Sequence, residues 1–192
     1  KIKEGIMYTI IKKNEWKSLE WSGGITNQLY IYPKTADYAR RDFSARISIA
    51  ETKEASRSQF THLPGIDRFI SNLEGNMQLE HEDHYNIEVH PYEIERFQGS
   101  WITFSTGKYR DFNLMLQGVM GDLYFKELTG DITLHLQEAL TFAFIYIIEG
   151  SVILDGQVKL EESDLLIANN HKLDIKTNFA KVYYGFVKEW ES

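Results

Sequence analysis

Residues Phe43 to Ala50 read Phe-Ser-Ala-Arg-Ile-Ser-Ile-Ala, and their alternation fixes what this part of the chain can become. Phe43, Ala45, Ile47 and Ile49 fall on one side of an extended chain and Ser44, Arg46, Ser48 and Ala50 on the other, the period of a half-buried β-strand. The polar side is the unusual one. Two hydroxyls flank a single arginine, and small neighbours leave its guanidinium room to project into a cavity. Arg110-Asp-Phe-Asn-Leu-Met115 repeats the arrangement, with Asp111 and Asn113 on one face and Phe112 and Leu114 on the other. Two such strands lining one barrel bring Arg46, Ser48, Asp111 and Asn113 together on a lumen and leave Ile47, Ile49, Phe112 and Leu114 to the core. The pattern predicts a ligand-binding β-barrel.

The rest of the chain fits an all-β fold. Short strand-like runs such as Ile6–Ile11, Leu29–Tyr32, Phe142–Ile148 and Ala180–Val187 are separated by turn signals at Thr106-Gly-Lys108, Gly118, Gly121-Asp122, Thr129-Gly-Asp131 and Asn169-Asn170. That spacing marks a sandwich or barrel, and no long segment carries a helical stripe. Asp155-Gly156 is the strongest hairpin turn. A weak internal repeat aligns Ile70–Leu79 with Ile145–Leu154, setting Glu74-Gly75 over Glu149-Gly150, and more loosely Phe97–Phe104 with Leu160–Ile167. The repeat predicts two hairpin-rich units, an amino-terminal barrel over 1–120 holding the pocket and a carboxy-terminal one over 121–192 serving as scaffold, with terminal strands free to cross between them. At 192 residues the chain can bury a substantial core.

Charge and composition narrow the partners. A formal charge of −7 argues against nucleic acid or an anionic membrane, both of which need a basic footprint. The absence of cysteine removes disulfides, thiolate metal sites and a cysteine nucleophile, and suits a reducing cytoplasm. The longest apolar run, Phe142–Ile148, is too short to span a bilayer, and Lys1, Lys3 and Glu4 lead into no long apolar stretch of the kind a signal peptide has.

Further site candidates flank the central strands. In Trp21-Ser-Gly-Gly-Ile-Thr26 the glycine pair permits a tight turn or a close backbone approach to a ligand, and Trp21 either caps the core or walls the site. Pro64-Gly65 precedes Asp67-Arg68, where the arginine pairs with a nearby carboxylate or aims at a ligand anion. Metal chemistry has little support: His62, His81, His84, His90, His135 and His171 include no His-x-His, and the His81-Glu-Asp-His84 spacing places the two rings on opposite faces of a strand, in charged surroundings expected at an exposed hairpin. No Gly-x-Ser-x-Gly is present for a nucleophile elbow. No metal and no cofactor is therefore expected.

The Glu-Gly hairpins, each followed by a strand such as Ser163-Asp-Leu-Leu-Ile167, resemble the cupin superfamily. Six blocks, Trp21–Thr26, Phe43–Ala50, Phe60-Thr-His-Leu-Pro-Gly-Ile-Asp-Arg68, Leu73-Glu-Gly75, Phe97-Gln-Gly99 and Asp111–Met115, are similar in order to the HutD/Ves family, while the carboxy-terminal half matches only at the general cupin level. The resemblance implies a double cupin, two jelly-roll β-barrels packed as a bicupin, with the pocket in the amino-terminal unit. It also implies, for HutD proteins, a link to histidine utilisation and formimino-glutamate, and for Ves proteins a link to environmental stress. The chain departs from the family at Thr26-Asn27-Gln28, where many members read Thr-Arg-Glu, and at Arg57-Ser58-Gln59-Phe60, which lacks the usual Gly-Pro before its aromatic residue.

Two functions are compatible with these residues. One is a non-catalytic sensor of a small acidic metabolite, with Arg46 and Arg68 on carboxylate, Thr26, Ser48 and Asn113 orienting it, Asp111 steering the arginines, and Gly24 and Trp21 closing the pocket. The other is a metal-independent enzyme, an isomerase or hydrolase acting on a small carboxylate, with Asp111 as its base. Pairing of sheets between two copies of the chain would give a homodimer.

Overall fold

The computed structural model describes residues 7–190. Sixteen strands run along them: β1 (Tyr8–Ile11), β2 (Lys17–Trp21), β3 (Gly24–Tyr32), β4 (Ala45–Thr52), β5 (Ser58–Gln59), β6 (Ile66–Gly75), β7 (Met77–His81), β8 (Tyr85–Val89), β9 (Ile94–Gln98), β10 (Thr103–Thr106), β11 (Tyr109–Gln117), β12 (Met120–His135), β13 (Phe142–Leu154), β14 (Val158–Glu161), β15 (Leu165–Ala168) and β16 (Lys172–Lys188). The sole helical turn among the described residues is a 3-10 turn at Lys13–Glu15.

The chain divides into two compact units. One spans Trp16–Gly118. Its larger sheet has the order β2-β3-β4-β11-β6-β9 and its smaller one β5-β10-β7-β8. Ile70, Met77, Leu79, Val89, Phe97 and Tyr109 form one apolar cluster of this unit, and Ile31, Phe43, Leu63, Ile66 and Met115 form another. The other unit takes the described residues up to Glu15 and those from Val119 onward. It is one sheet, β1-β15-β13-β16-β12 with β14 on β13, packed around Leu128, Ile145, Ile147, Val152, Leu166 and Val182. Strand β1 pairs antiparallel with β15, so the first strand of the described residues lies in the carboxy-terminal sheet. The all-β class read from the sequence is the class the chain adopts. The difference lies in closure: among the described residues the first and last strands of each sheet keep an unpaired edge, so the expected barrels are open sheets.

The internal repeat has a structural counterpart in each unit. Along β6 and β11 the register runs from Arg110↔Glu74 to Asp111↔Asn72, leaving Leu73 as the extra residue of a bulge. Along β13 and β16 it runs from Ile147↔Val182 to Glu149↔Lys181, leaving Ile148 extra. Leu73 and Ile148 are aligned positions of the repeat. The glycine that follows each Glu has a positive φ, +88° at Gly75 and +81° at Gly150. A Cβ there would sit 2.2 Å from the Lys108 carbonyl oxygen in one case and 2.3 Å from that of Phe179 in the other. Both the left-handed backbone and the close approach demand glycine. The looser match holds as well, because Trp101 N–H donates to Gln98 and Asp164 N–H to Glu161, each at 3.0 Å across an equivalent turn. Asp155 and Gly156 both have positive φ, the primed turn their sequence predicts.

Replacing Gly75 or Gly150 with alanine is expected to lower the melting temperature of the whole chain well below that of Gly118→Ala. Gly118 shares the positive φ (+67°), but a Cβ there meets nothing within 4 Å. The collision should add roughly 1–3 kcal/mol to the backbone strain that all three variants share. Thermal melts followed by circular dichroism measure the ordering.

Candidate functional site

Strands β4, β11 and β6 lie side by side, and their register builds the site. Arg46 is opposite Met115, which is opposite Arg68; Ser48 is opposite Asn113; Ala50 is opposite Asp111. Residues at alternate positions share a face, so these side chains form rows across three strands. The reverse face carries Ile47, Ile49, Phe112 and Leu114, all essentially inaccessible. On the polar face Tyr109 packs in one apolar cluster and Met115 in the other. Between those clusters opens a cavity of about 230 Å³, which also receives Leu19 and Trp21 from β2, Thr26 from β3, and Ser58, Gln59 and Phe60 from β5 and beyond.

Seven of the eight residues singled out from the sequence line it: Trp21, Thr26, Arg46, Ser48, Arg68, Asp111 and Asn113. Gly24 does not. A Cβ at Gly24 would meet the Glu51 carbonyl oxygen at 2.0 Å and the Trp21 ring at 3.0 Å, and one at Gly23 would meet that ring at 2.0 Å. The glycine pair makes room for the indole, and the indole reaches the cavity. Asp67, which alternates with Arg68 on β6, accepts a hydrogen bond from Gln98 Nε2 at 2.6 Å. Arg68 therefore points inward, not toward its sequence neighbour.

Both arginines are buried without a countercharge. Arg46 is 5% exposed and Arg68 7%. Arg46 Nε donates to Gln28 Oε1 at 2.9 Å and Nη1 to Ser48 Oγ at 3.4 Å, while its guanidinium lies 4.1 Å from the centroid of the Tyr38 ring. Arg68 Nη2 donates to Asn113 Oδ1 at 3.5 Å, and its guanidinium lies 4.8 Å from the Phe60 centroid and 5.2 Å from that of Phe97. Arg68 Nε is buried with no hydrogen-bond acceptor. Neither guanidinium has a carboxylate within 4 Å among the described residues. Burial pushes Arg46 down to about 10, with Tyr38 opposing the shift and the positive charges of Arg68 and Arg41 adding to it. Burial likewise lowers Arg68, against the opposing pull of Tyr38, Asp111 and Tyr109. Both remain cations near neutrality, and an uncompensated buried ion costs several kcal/mol.

Asp111, 3% exposed, makes no ion pair with either arginine; its Oδ1 accepts the Ala50 N–H at 3.1 Å. Burial pushes its carboxyl up to about 7, although Asn113, Arg68 and the Ala50 amide favour the ionised form. The site thus pairs two fixed positive charges with a carboxyl poised between its two states.

The donors do not suit a metal. Two cationic arginines and one carboxyl face the cavity, with no imidazole, and among the described residues no three His, Asp or Glu side chains converge. His84 sits in the β7–β8 turn as expected for a hairpin, but His81 is buried, against expectation. Its Nδ1 lies 2.8 Å from Thr103 Oγ1, and rings of Tyr85, Phe97 and Trp101 surround it. Burial, aided by His84 and Arg68, holds His81 down at about 4, so the 3.5 Å approach of its Nε2 to Glu95 is not an ion pair near neutral pH.

A family model described as HutD matches residues 11–183, reaching through both units. The chain belongs to the HutD family. Its fold is similar to that of the conserved protein PA5104 from Pseudomonas aeruginosa PAO1 (TM-score 0.83, 20% identity, 95% of this chain and 100% of that one). It is also similar to HutD from Pseudomonas fluorescens SBW25 (0.78, 17%, 96% and 100%) and to the bacterial pirin YhhW from Escherichia coli, solved with nickel(II) (0.72, 13%, 96% and 100%). These likenesses establish the cupin class of the fold. Within this HutD-family chain the repeat shows that the second unit has no counterpart of the charged Arg68 and Asp111. The positions that align with Arg68, Asp111 and Asn113 are Ala143, Val182 and Tyr184, and in the second unit Ala143 and Val182 are fully buried. That unit has an open groove of about 500 Å³. Two of its three acidic groups already have partners: Asp155 accepts the Tyr8 hydroxyl and Asp174 accepts Thr133 Oγ1 at 2.7 Å.

Residues that sequence reasoning missed are the supports. Gln28 and Tyr38 hold Arg46, Phe60 shields Arg68, and Tyr109 closes one end. Tyr38 lies in the connection between β3 and β4, and nothing in its neighbours along the chain announces a ring under a guanidinium. Gln28 was legible as a family departure, though not as the partner of Arg46.

Substituting Arg68 with methionine should raise the melting temperature, because it removes a desolvated charge with an orphaned N–H while keeping most of the volume. Asp111→Asn tests the carboxyl. A group whose pKa rises on folding binds more protons in the folded state, so its contribution to stability falls as pH climbs from about 4 through about 7. The Asp111→Asn variant, compared with the parent by thermal melts, should therefore gain stability at pH 8 relative to pH 5.

Proposed function

We propose that this HutD-family protein is a non-catalytic sensor that binds a small acidic metabolite in the cavity of its Trp16–Gly118 unit. The observation that carries the reading is the pair of buried guanidiniums without countercharge, one of them with an unsatisfied Nε–H. A protein that keeps such groups at a stability cost does so where a ligand anion completes them, since guanidinium and carboxylate pair with two parallel hydrogen bonds. Family membership points to histidine utilisation, and formimino-glutamate is the acid of that pathway we take as the leading candidate.

A specific feature favours a second reading. Asp111, with its carboxyl near 7 inside the same cavity, has the proton affinity of a general base, which suits a metal-independent isomerase or hydrolase of a small carboxylate.

Isothermal titration with formimino-glutamate, glutamate, urocanate and histidine, on the parent and on Arg46→Ala, tests the first. Binding by the parent that disappears in a folded Arg46→Ala variant is the expected result. No heat with any of the four would remove the histidine-pathway assignment. Chemical change of the bound acid, abolished in Asp111→Asn while binding persists, would favour the enzyme.

A further inference from the structure

We propose that the open edge of β12 is an interaction surface whose partner is a second copy of this chain, the two copies joining by antiparallel strand pairing about a two-fold axis at Thr133. The proposal is independent of the cavity and concerns the sheet of the carboxy-terminal unit. Strand β12 ends that sheet and pairs on one side only, with β16. Past the register shift between Leu128 and Gly130, the ladder runs without interruption from Gly130↔Thr177 to His135↔Lys172. Leu136 N–H donates to the His171 carbonyl at 2.7 Å and continues the same register. Backbone groups alternate in direction along an antiparallel strand, so Leu136, Leu134 and Ile132 turn theirs toward β16, and Asp131, Thr133 and His135 turn theirs toward the open side. Asp174 agrees. It is opposite Thr133, yet its carbonyl accepts the Asp155 N–H at 2.8 Å, away from β12. Asp131, Thr133 and His135 are all exposed.

Proteins commonly blunt such edges with charge, proline or brevity. Strand β5 is two residues long, and β14 carries Lys159 and Glu161 as an ion pair. From Thr129 to His135, β12 has no lysine, arginine or proline. Its sequence is instead complementary to itself. Antiparallel pairing centred on Thr133 sets that residue against the same residue of the other copy. It also sets Asp131 against His135, and Ile132 against Leu134, each pair occurring twice. A carboxylate thus meets an imidazole that can donate to it, and threonine meets threonine, both favourable cross-strand pairs. On the other face Leu134 is buried and Ile132 only partly so, beside the apolar cluster of the unit. A second copy's Leu134 would cover the exposed part of Ile132. Neighbouring registers lack this match. Centring on Asp131 opposes two carboxylates, and centring on Ile132 sets Asp131 against Thr133, whose hydroxyl already donates to Asp174 at 2.7 Å.

Sedimentation velocity of the full chain over about 5 to 500 µM tests the proposal. So short a ladder makes a small interface of the weak class, so the parent is expected to pass from monomer toward dimer within that range. His135→Asp opposes two carboxylates at both ends of the ladder and should weaken the dimer about tenfold or more. Adding Asp131→Lys restores opposite charges in both pairs, and the double variant should dimerise at least as well as the parent. Both positions are exposed, and circular dichroism checks that the variants stay folded. A parent that remains monomeric up to about 500 µM overturns the proposal. A dimer indifferent to His135→Asp, or one that the double variant does not recover, overturns it as well.

Discussion

The hydrogen-bonded register of β4, β11 and β6 is the constraint on which the site depends. Because side chains alternate along each strand and align across the ladder, one choice of register puts Arg46, Met115 and Arg68 in a row and Ser48 beside Asn113. A slip of one residue in β11 would turn Asp111 and Asn113 to the reverse face and bring Phe112 and Leu114 into the cavity. The apolar face prevents that slip, since Ile47, Ile49, Phe112 and Leu114 are buried almost completely. Packing on one side of the sheet thereby positions the charges on the other.

Those charges are the least favourable feature of the unit. Arg46 and Arg68 are held by amides, a hydroxyl and aromatic faces, none of which neutralises a cation in the way a carboxylate does. The second unit shows the alternative. Built on the same bulged hairpin, it places Ala143 and Val182 where the first has Arg68 and Asp111, and fills the space with its own core. One repeat fills this space with its own core, and the other leaves two buried guanidiniums without a carboxylate partner.

Much was legible in the chain itself. Period-two alternation identified β4 and β11 and assigned their faces, Asp155-Gly156 fixed a hairpin, and the aligned Glu-Gly pairs marked bulges that only a positive-φ glycine allows. The limits are equally specific. His81 was expected in an exposed hairpin because its neighbours in sequence are charged, yet it is buried, because burial is set by rings that approach from β8, β9 and the turn before β10. Barrels were expected from strand and turn spacing, the internal repeat and the cupin resemblance, but closure needs edge strands to meet, which no local pattern encodes.

The sequence by itself determined the all-β class and which residues of β4 and β11 share a polar face, because these follow from local periodicity and short-range turn chemistry, and its six ordered blocks carried the resemblance to the family. Tertiary structure alone decided that Arg68 turns inward instead of meeting Asp67, that Gly24 makes room for Trp21 instead of lining the cavity, and that Gln28, Tyr38 and Phe60 brace the guanidiniums. The reason is physical: a side chain's partner across a sheet is fixed by long-range register and by loops that fold over it, and neither leaves a trace in the residues adjacent along the chain.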